Sequence, residues 1–159
     1  MVRIELAEAM GDDPFNLDRF VDAQRDDYFD ALAEIKRGAK HSHWMWYVFP
    51  QIAGLGLSPT SQRYAIKSRA EAEAYLAHPT LGPRLVECCE AAVLVPEKSA
   101  RQIFGSPDDL KLRSSATLFA EIRPNGSIFH RVLERFFDGQ PDRRTVELLR
   151  DTDGPERAG

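Results

Sequence analysis

Cysteine is nearly absent from this chain: it has two, Cys88 and Cys89, and they are neighbours. Adjacent thiols close no loop worth stabilising, so a disulfide framework is excluded. The pair reads as small core and boundary residues of a reducing compartment. The spacer of a Cys-x-x-Cys motif is missing, which argues against a redox or metal pair. No run approaches the roughly 18 apolar residues that cross a bilayer. The first residues, Met1 to Gly11, carry acids where a signal peptide needs a basic and then an apolar stretch, so the expected location is cytoplasmic, with no membrane partner. A basic surplus is also lacking. A net charge of −4 gives no general footing for a polyanion, and no nucleic acid partner is expected. One focused anion pocket remains compatible with that charge.

What is present is ordinary for a globular protein: 159 residues, 43% hydrophobic and 29% charged. That length suits a single core. Residues 1–13 are expected to be poorly ordered, 14–150 to form one domain, and 151–159, with Gly and Pro among charges, to make a flexible tail.

Helical periodicity dominates. Asn16 is placed to cap a helix that runs to Arg37 and stops at Gly38, with Leu17, Phe20, Tyr28, Leu32 and Ile35 recurring at helical spacing. Further starts are expected at Ser68, Thr80, Ser99, Ser127 and Asp142. Ser106-Pro107-Asp108-Asp109 reads as another, with a capping serine, a first-turn proline and acids facing the helix dipole. The aromatic run Trp44 to Phe49 is expected to be a short buried helix ending before Pro50, because a lone strand has nothing to pair with. The whole reads as all-α, a single compact multihelical domain of about seven or eight helices.

Polar residues on faces that should be apolar supply the chemical clues. At about 100° per residue, Lys111, Ser114, Ser115 and Asp108 fall on or beside the inward face of the helix after Pro107, while Arg113 points away. An inward ammonium is costly unless it is paired or lines a cavity. Two readings stay open. One is a structural pair with Asp108, one turn away; the other is a pocket where Lys111 and the two serines meet an anionic, phosphorylated or nucleotide-derived ligand. Gln24 falls mid-stripe on the first helix and is either a core tie or a ligand contact. His41 and His43, two apart, do not form a metal pair on one helical face, and no metal or other cofactor is expected. Either imidazole is a candidate general acid or base, against the alternative of a structural hydrogen bond. Trp44 and Trp46 are core residues or stacking partners for a flat ligand, and Gln51 opens a loop in which Gly54 and Gly56 permit close approach.

The strings His41-Ser42-His43-Trp44-Met45-Trp46, Phe49-Pro50-Gln51, Gly54-Leu55-Gly56, Tyr64-Ala65-Ile66, Ile103-Phe104-Gly105 and Asp109-Leu110-Lys111-Leu112-Arg113-Ser114-Ser115 closely resemble the bacterial DUF1810 family. The resemblance runs from about Pro14 to Leu149. It implies a multihelical fold and no established activity. Members are sometimes labelled calpastatin, but such segments are disordered, whereas this chain is patterned for packing. Two functions from different classes follow as expectations. The first is a binder or hydrolase of a small anionic ligand between the His41–Gln51 segment and Lys111. The second is a non-catalytic interaction or self-association module that uses the aromatic block. Oligomeric state stays open.

Overall fold

The structure, a computed structural model, describes residues 12–153. Among these residues ten helices follow in order: α1 (Asp18–Gln24), α2 (Tyr28–Arg37), α3 (Met45–Val48), α4 (Pro59–Arg63), α5 (Arg69–Ala77), α6 (Leu81–Leu94), α7 (Ala100–Phe104), α8 (Asp108–Ala120), α9 (Ile128–Phe137) and α10 (Arg143–Asp153). None of them is long and apolar enough to cross a membrane. The all-α expectation holds, with two more helices than expected. One comes from a break in the first helix and the other is α4.

Two helices organise the core. Helix α6 buries Leu81, Leu85, Cys88, Cys89 and Ala92 against α2, α5 and α9. Helix α8 buries every residue from Ser114 to Ala120 and is flanked by α7, α9 and α10. Helix α9 packs on both. Phe20, Trp44, Tyr75 and Phe119 are fully enclosed. At roughly 150–250 Å² and 25 cal/mol per Å², each large aromatic contributes on the order of 4–6 kcal/mol of transfer free energy.

The first helix breaks at Arg25–Asp27 for a tertiary reason. Gln24 is buried, and its amide donates to the Tyr47 carbonyl at 2.7 Å and to the Tyr75 hydroxyl at 3.2 Å. Asp27 then accepts from the Tyr47 hydroxyl, and α2 restarts on a new axis. Its end follows the sequence: Gly38 takes φ 74°, the left-handed closure that glycine adopts without strain.

Ser68, Ser99, Ser127 and Asp142 accept the amides of Glu71, Gln102, His130 and Thr145, as their positions predict. Three caps differ. Asp13, not Asn16, holds the amides of Leu17 and Asp18, because one carboxylate serves two donors. At α6 the acceptor is His78 Nδ1, which takes the amides of Thr80 and Leu81. Ser106 caps nothing: Pro107 stands at the N-cap of α8, and the carbonyls of Gly105 and Pro107 take the Asp109, Leu110 and Lys111 amides. The Ser106–Pro107 bond is cis.

The final helix passes the expected stop at Arg150 and continues to Asp153, which pairs with Arg69 at 3.1 Å. The rest of the expected tail (154–159) and residues 1–11 lie outside the described residues.

Between α3 and α5 the chain makes an excursion that matters for the site. Ile52 and Ile66 form an isolated parallel bridge, with Ile66 donating to the Gln51 carbonyl and Ala53 donating to that of Ile66, each at 2.8 Å. The loop pinched off there carries Gly54, Gly56 and α4. Arg19 fastens its far limb. All five N–H groups of its guanidinium are engaged: Phe15, Asn16, Arg63 and Ala65 carbonyls and the Glu71 carboxylate accept them, at 2.7–2.8 Å.

Candidate functional site

The site is built outward from a buried carboxylate. Glu34, on α2, is 5% exposed and accepts from the amides of His41 and Ser42, the Ser42 hydroxyl and the Trp44 indole N–H at 2.7–3.0 Å. Burial alone pushes such a carboxyl up. These four donors outweigh it and hold Glu34 at about 2. The turn from Gly38 to Trp44 is therefore moulded around one anion.

That turn presents Lys40, whose side chain is 6% exposed. Its ammonium donates to the Ser42 carbonyl at 2.5 Å, lies 5.0 Å from the Trp44 ring centroid and pairs with Asp108 Oδ2 at 2.8 Å. The other oxygen of Asp108 meets Lys111 Nζ at 3.3 Å. One carboxylate between two ammonium groups leaves the cluster with a positive charge. Lys111 is the looser partner, with one long contact, and it keeps donors free.

Lys111 opens onto a hollow of about 190 Å³ lined by Gln51, Leu55, Gly56, Ser61, Pro107, Leu110, Lys111 and Ser114. A second, more enclosed hollow of about 200 Å³ shares Gln51, Gly56 and Ser61 as a common wall and adds Trp46, Ile52, Ala53, Gly54, Gln62, Tyr64, Ala65 and Lys67. Neither lining contains an Asp or Glu. The two together hold two lysines, in a protein of net charge −4. Ser61 accepts from the Ser58 hydroxyl at 2.9 Å, which leaves its own proton free to donate. Gly56 is required by Ser61: a Cβ there would lie 2.5 Å from its Oγ.

The structure brings together four of the sequence-predicted residues. Lys111, Ser114 and Gln51 line one hollow, and Trp46, with Gln51, lines the other. Ser114 also donates to the Leu110 carbonyl at 3.1 Å. The others lie elsewhere. Gln24 is a core tie, its carbonyl also receiving Arg84 at 3.4 Å. Trp44 is 1% exposed and packs edge-on to Phe104. Ser115 is 1% exposed, and its hydroxyl has no partner in the structure. His41 and His43 face solvent and line neither hollow, because Glu34 grips the backbone of the turn and leaves the imidazoles outside.

Glu34, Ser61 and Lys67 go unmarked in the sequence reading, and Lys40 and Tyr64 stand beside or within its motif strings without a role at the site. The Ser58-Pro59 pair carried a readable signal, since Ser58 caps α4 by accepting the Ser61 amide at 3.1 Å. Glu34 and Lys40 acquire their roles from partners that the fold supplies. Arg113 lies away from the hollows as expected, donating to the Gln140 and Pro141 carbonyls.

No curated protein matches the chain. It is similar to a solved structure, that of the conserved hypothetical protein Rv1873 from Mycobacterium tuberculosis, with 51% identity and a TM-score of 0.85 over 87% of this chain and 99% of the other. The family described as protein of unknown function (DUF1810) matches residues 14–149. With most of its length matched, and with the motif strings that line the hollows falling inside the matched region, the chain belongs to the DUF1810 family.

Proposed function

We propose that the paired hollows bind a small anionic, phosphate-bearing ligand, held by Lys111 with Gln51 and Ser61 as neutral donors. The observation that carries this reading is the charge of the linings: two lysines and no carboxylate, beside a cluster in which Asp108 is shared by two ammonium groups. An ammonium at the wall of a partly enclosed cavity attracts an anion more strongly than one in open water, because the field is less screened. The hydrolytic option has less support, since no imidazole or carboxylate stands on the linings to move a proton. The docking option has less as well: Trp44, Tyr47 and Phe49 are buried in the core.

Thermal unfolding in orthophosphate and pyrophosphate at about 10 mM tests the reading, comparing the parent with Lys111→Met. A ligand at 100 times its Kd stabilises by about 2.7 kcal/mol. Stabilisation of the parent that disappears in the variant is the expected result. No shift in the parent, or an equal shift in both proteins, sinks the proposal.

A further inference from the structure

The anion site accounts for only one of the two hollows. Small-molecule sites start at roughly 300 Å³. Neither hollow reaches that alone, at about 200 and 190 Å³, whereas the two, which adjoin at Gln51, Gly56 and Ser61, reach it when one ligand spans both. The ligand that fits is thus bipartite. Its anionic part belongs beside Lys111. The wall of the more enclosed hollow sets its other part, and that wall combines two aromatic rings, Trp46 and Tyr64, with apolar side chains, two amides, the Ser61 hydroxyl and, at its exposed edge, Lys67.

The rings are held in place. Tyr64 packs against Phe20 and Tyr47 at centroid distances of 5.8 and 5.2 Å, and Trp46 carries the Lys111 ammonium 4.7 Å from its centroid. The amides differ in what they offer. Gln62 gives one amide N–H to the Leu57 carbonyl at 3.0 Å, which leaves its second N–H to donate and its oxygen to accept. Gln51 has both amide atoms uncommitted. Fixed ring faces beside two amides that each keep a donor and an acceptor suit a flat heterocycle with polar edges. They suit an alkyl chain poorly, since it would leave both amides unmatched.

We infer, resting on the anion-site reading above, that the ligand class is a heteroaromatic monophosphate of the nucleotide type, its phosphate on Lys111 and its base in the hollow walled by Trp46 and Tyr64. Trp46 lines the base hollow and lies 4.7 Å from the Lys111 ammonium, so it touches both parts of the site.

The chain has two tryptophans, and Trp44 is sealed in the core, so Trp46 fluorescence reports on the site. The parent, Trp46→Phe, Trp46→Leu and Lys111→Met are titrated with orthophosphate, ribose 5-phosphate and the four common nucleoside 5′-monophosphates, by fluorescence where Trp46 remains and by calorimetry throughout. Circular dichroism checks folding.

At least one nucleotide is expected to bind the parent tenfold or more tightly than ribose 5-phosphate. Trp46→Phe is expected to keep most of that advantage and Trp46→Leu to lose it, read as the ratio of nucleotide to ribose 5-phosphate affinity because Trp46 also touches Lys111. Lys111→Met weakens every phosphate. If all four nucleotides bind no better than ribose 5-phosphate, the base compartment is refuted while the anion site stands. If no phosphate compound binds, both fall. An unfolded Trp46→Leu leaves the parent's nucleotide-to-sugar ratio to decide.

Discussion

The ammonium of Lys111 stands 4.7 Å from the centre of the Trp46 indole, while its one carboxylate contact, Asp108, is 3.3 Å away and shared with Lys40. The two lysines are therefore unequal. Lys40 is nearly enclosed and depends on Asp108, whereas Lys111 is a supplement. Asp108→Asn is expected to cost about 2–3 kcal/mol, because it strips the counter-charge from an enclosed ammonium. Lys111→Met is expected to cost under about 1 kcal/mol, its thioether stem still covering the indole. Urea unfolding of both variants checks this. Equal costs would show that Asp108 does not serve chiefly to hold Lys40.

Glu34 should govern acid stability. Its folded pKa of about 2 lies below the ordinary 4.5, so the charged form is favoured by folding. The resulting stabilisation is complete above the unfolded value and fades as pH falls from 4.5 through about 2. Glu34→Gln offers an NH2 group to four donors and is expected to cost about 3 kcal/mol at pH 7, with a flatter decline of stability between pH 5 and 2. A variant with the parent's acid limb would contradict this account.

Ser115 buries a hydroxyl with no partner in the structure. Such a group carries a desolvation penalty without the compensating bond. Ser115→Ala should accordingly be neutral or stabilising by up to about 1 kcal/mol. A loss of more than 1 kcal/mol in chemical denaturation would mean that the hydroxyl is bonded after all.

The Gly56–Ser61 contact predicts a coupling. Gly56→Ala drives its new carbon to within 2.6 Å of both side-chain atoms of Ser61, while the Ser61 Cα is 4.0 Å away. The substitution should cost about 1–3 kcal/mol. In a Ser61→Gly background most of that cost should vanish, which a double-mutant cycle measures. Additive costs would place the strain elsewhere.

Cys88 and Cys89 should be inert in the native protein. Both are essentially unexposed. Burial pushes the Cys88 thiol up to about 12 and the Cys89 thiol well above its usual value, and thiolate is the reactive form. Alkylation at pH 8 should leave both unmodified until denaturant is added. Rapid labelling of either in the folded state would argue against this packing.

The parts of the fold legible in the sequence were those governed by neighbours along the chain. Serine and aspartate caps, the glycine stop at Gly38 and the short helix before Pro50 all depend on groups within four residues. Lys111 belongs to this class, because its direction follows from the angular spacing of α8. Helix α4 escaped notice because none of its residues is buried, so it leaves no apolar periodicity to read. The break after Gln24 escaped because its cause, the Tyr47 carbonyl, lies on another element. Glu34 was silent for the same reason: a glutamate in an amphipathic helix looks solvated until a turn folds over it. Half of the candidate site was therefore readable as a helix face, and the other half exists only once the Gln51–Ile66 excursion closes.

The saturated guanidinium of Arg19 has a consequence for how anything enters. It anchors the main chain at Arg63 and Ala65, on either side of Tyr64, so that limb of the excursion cannot swing outward without breaking charge-assisted bonds. The opening has a preset width on that side. For the ligand proposed above, selection should then act at admission, by rejecting what is too broad, rather than by a flap that folds down afterwards.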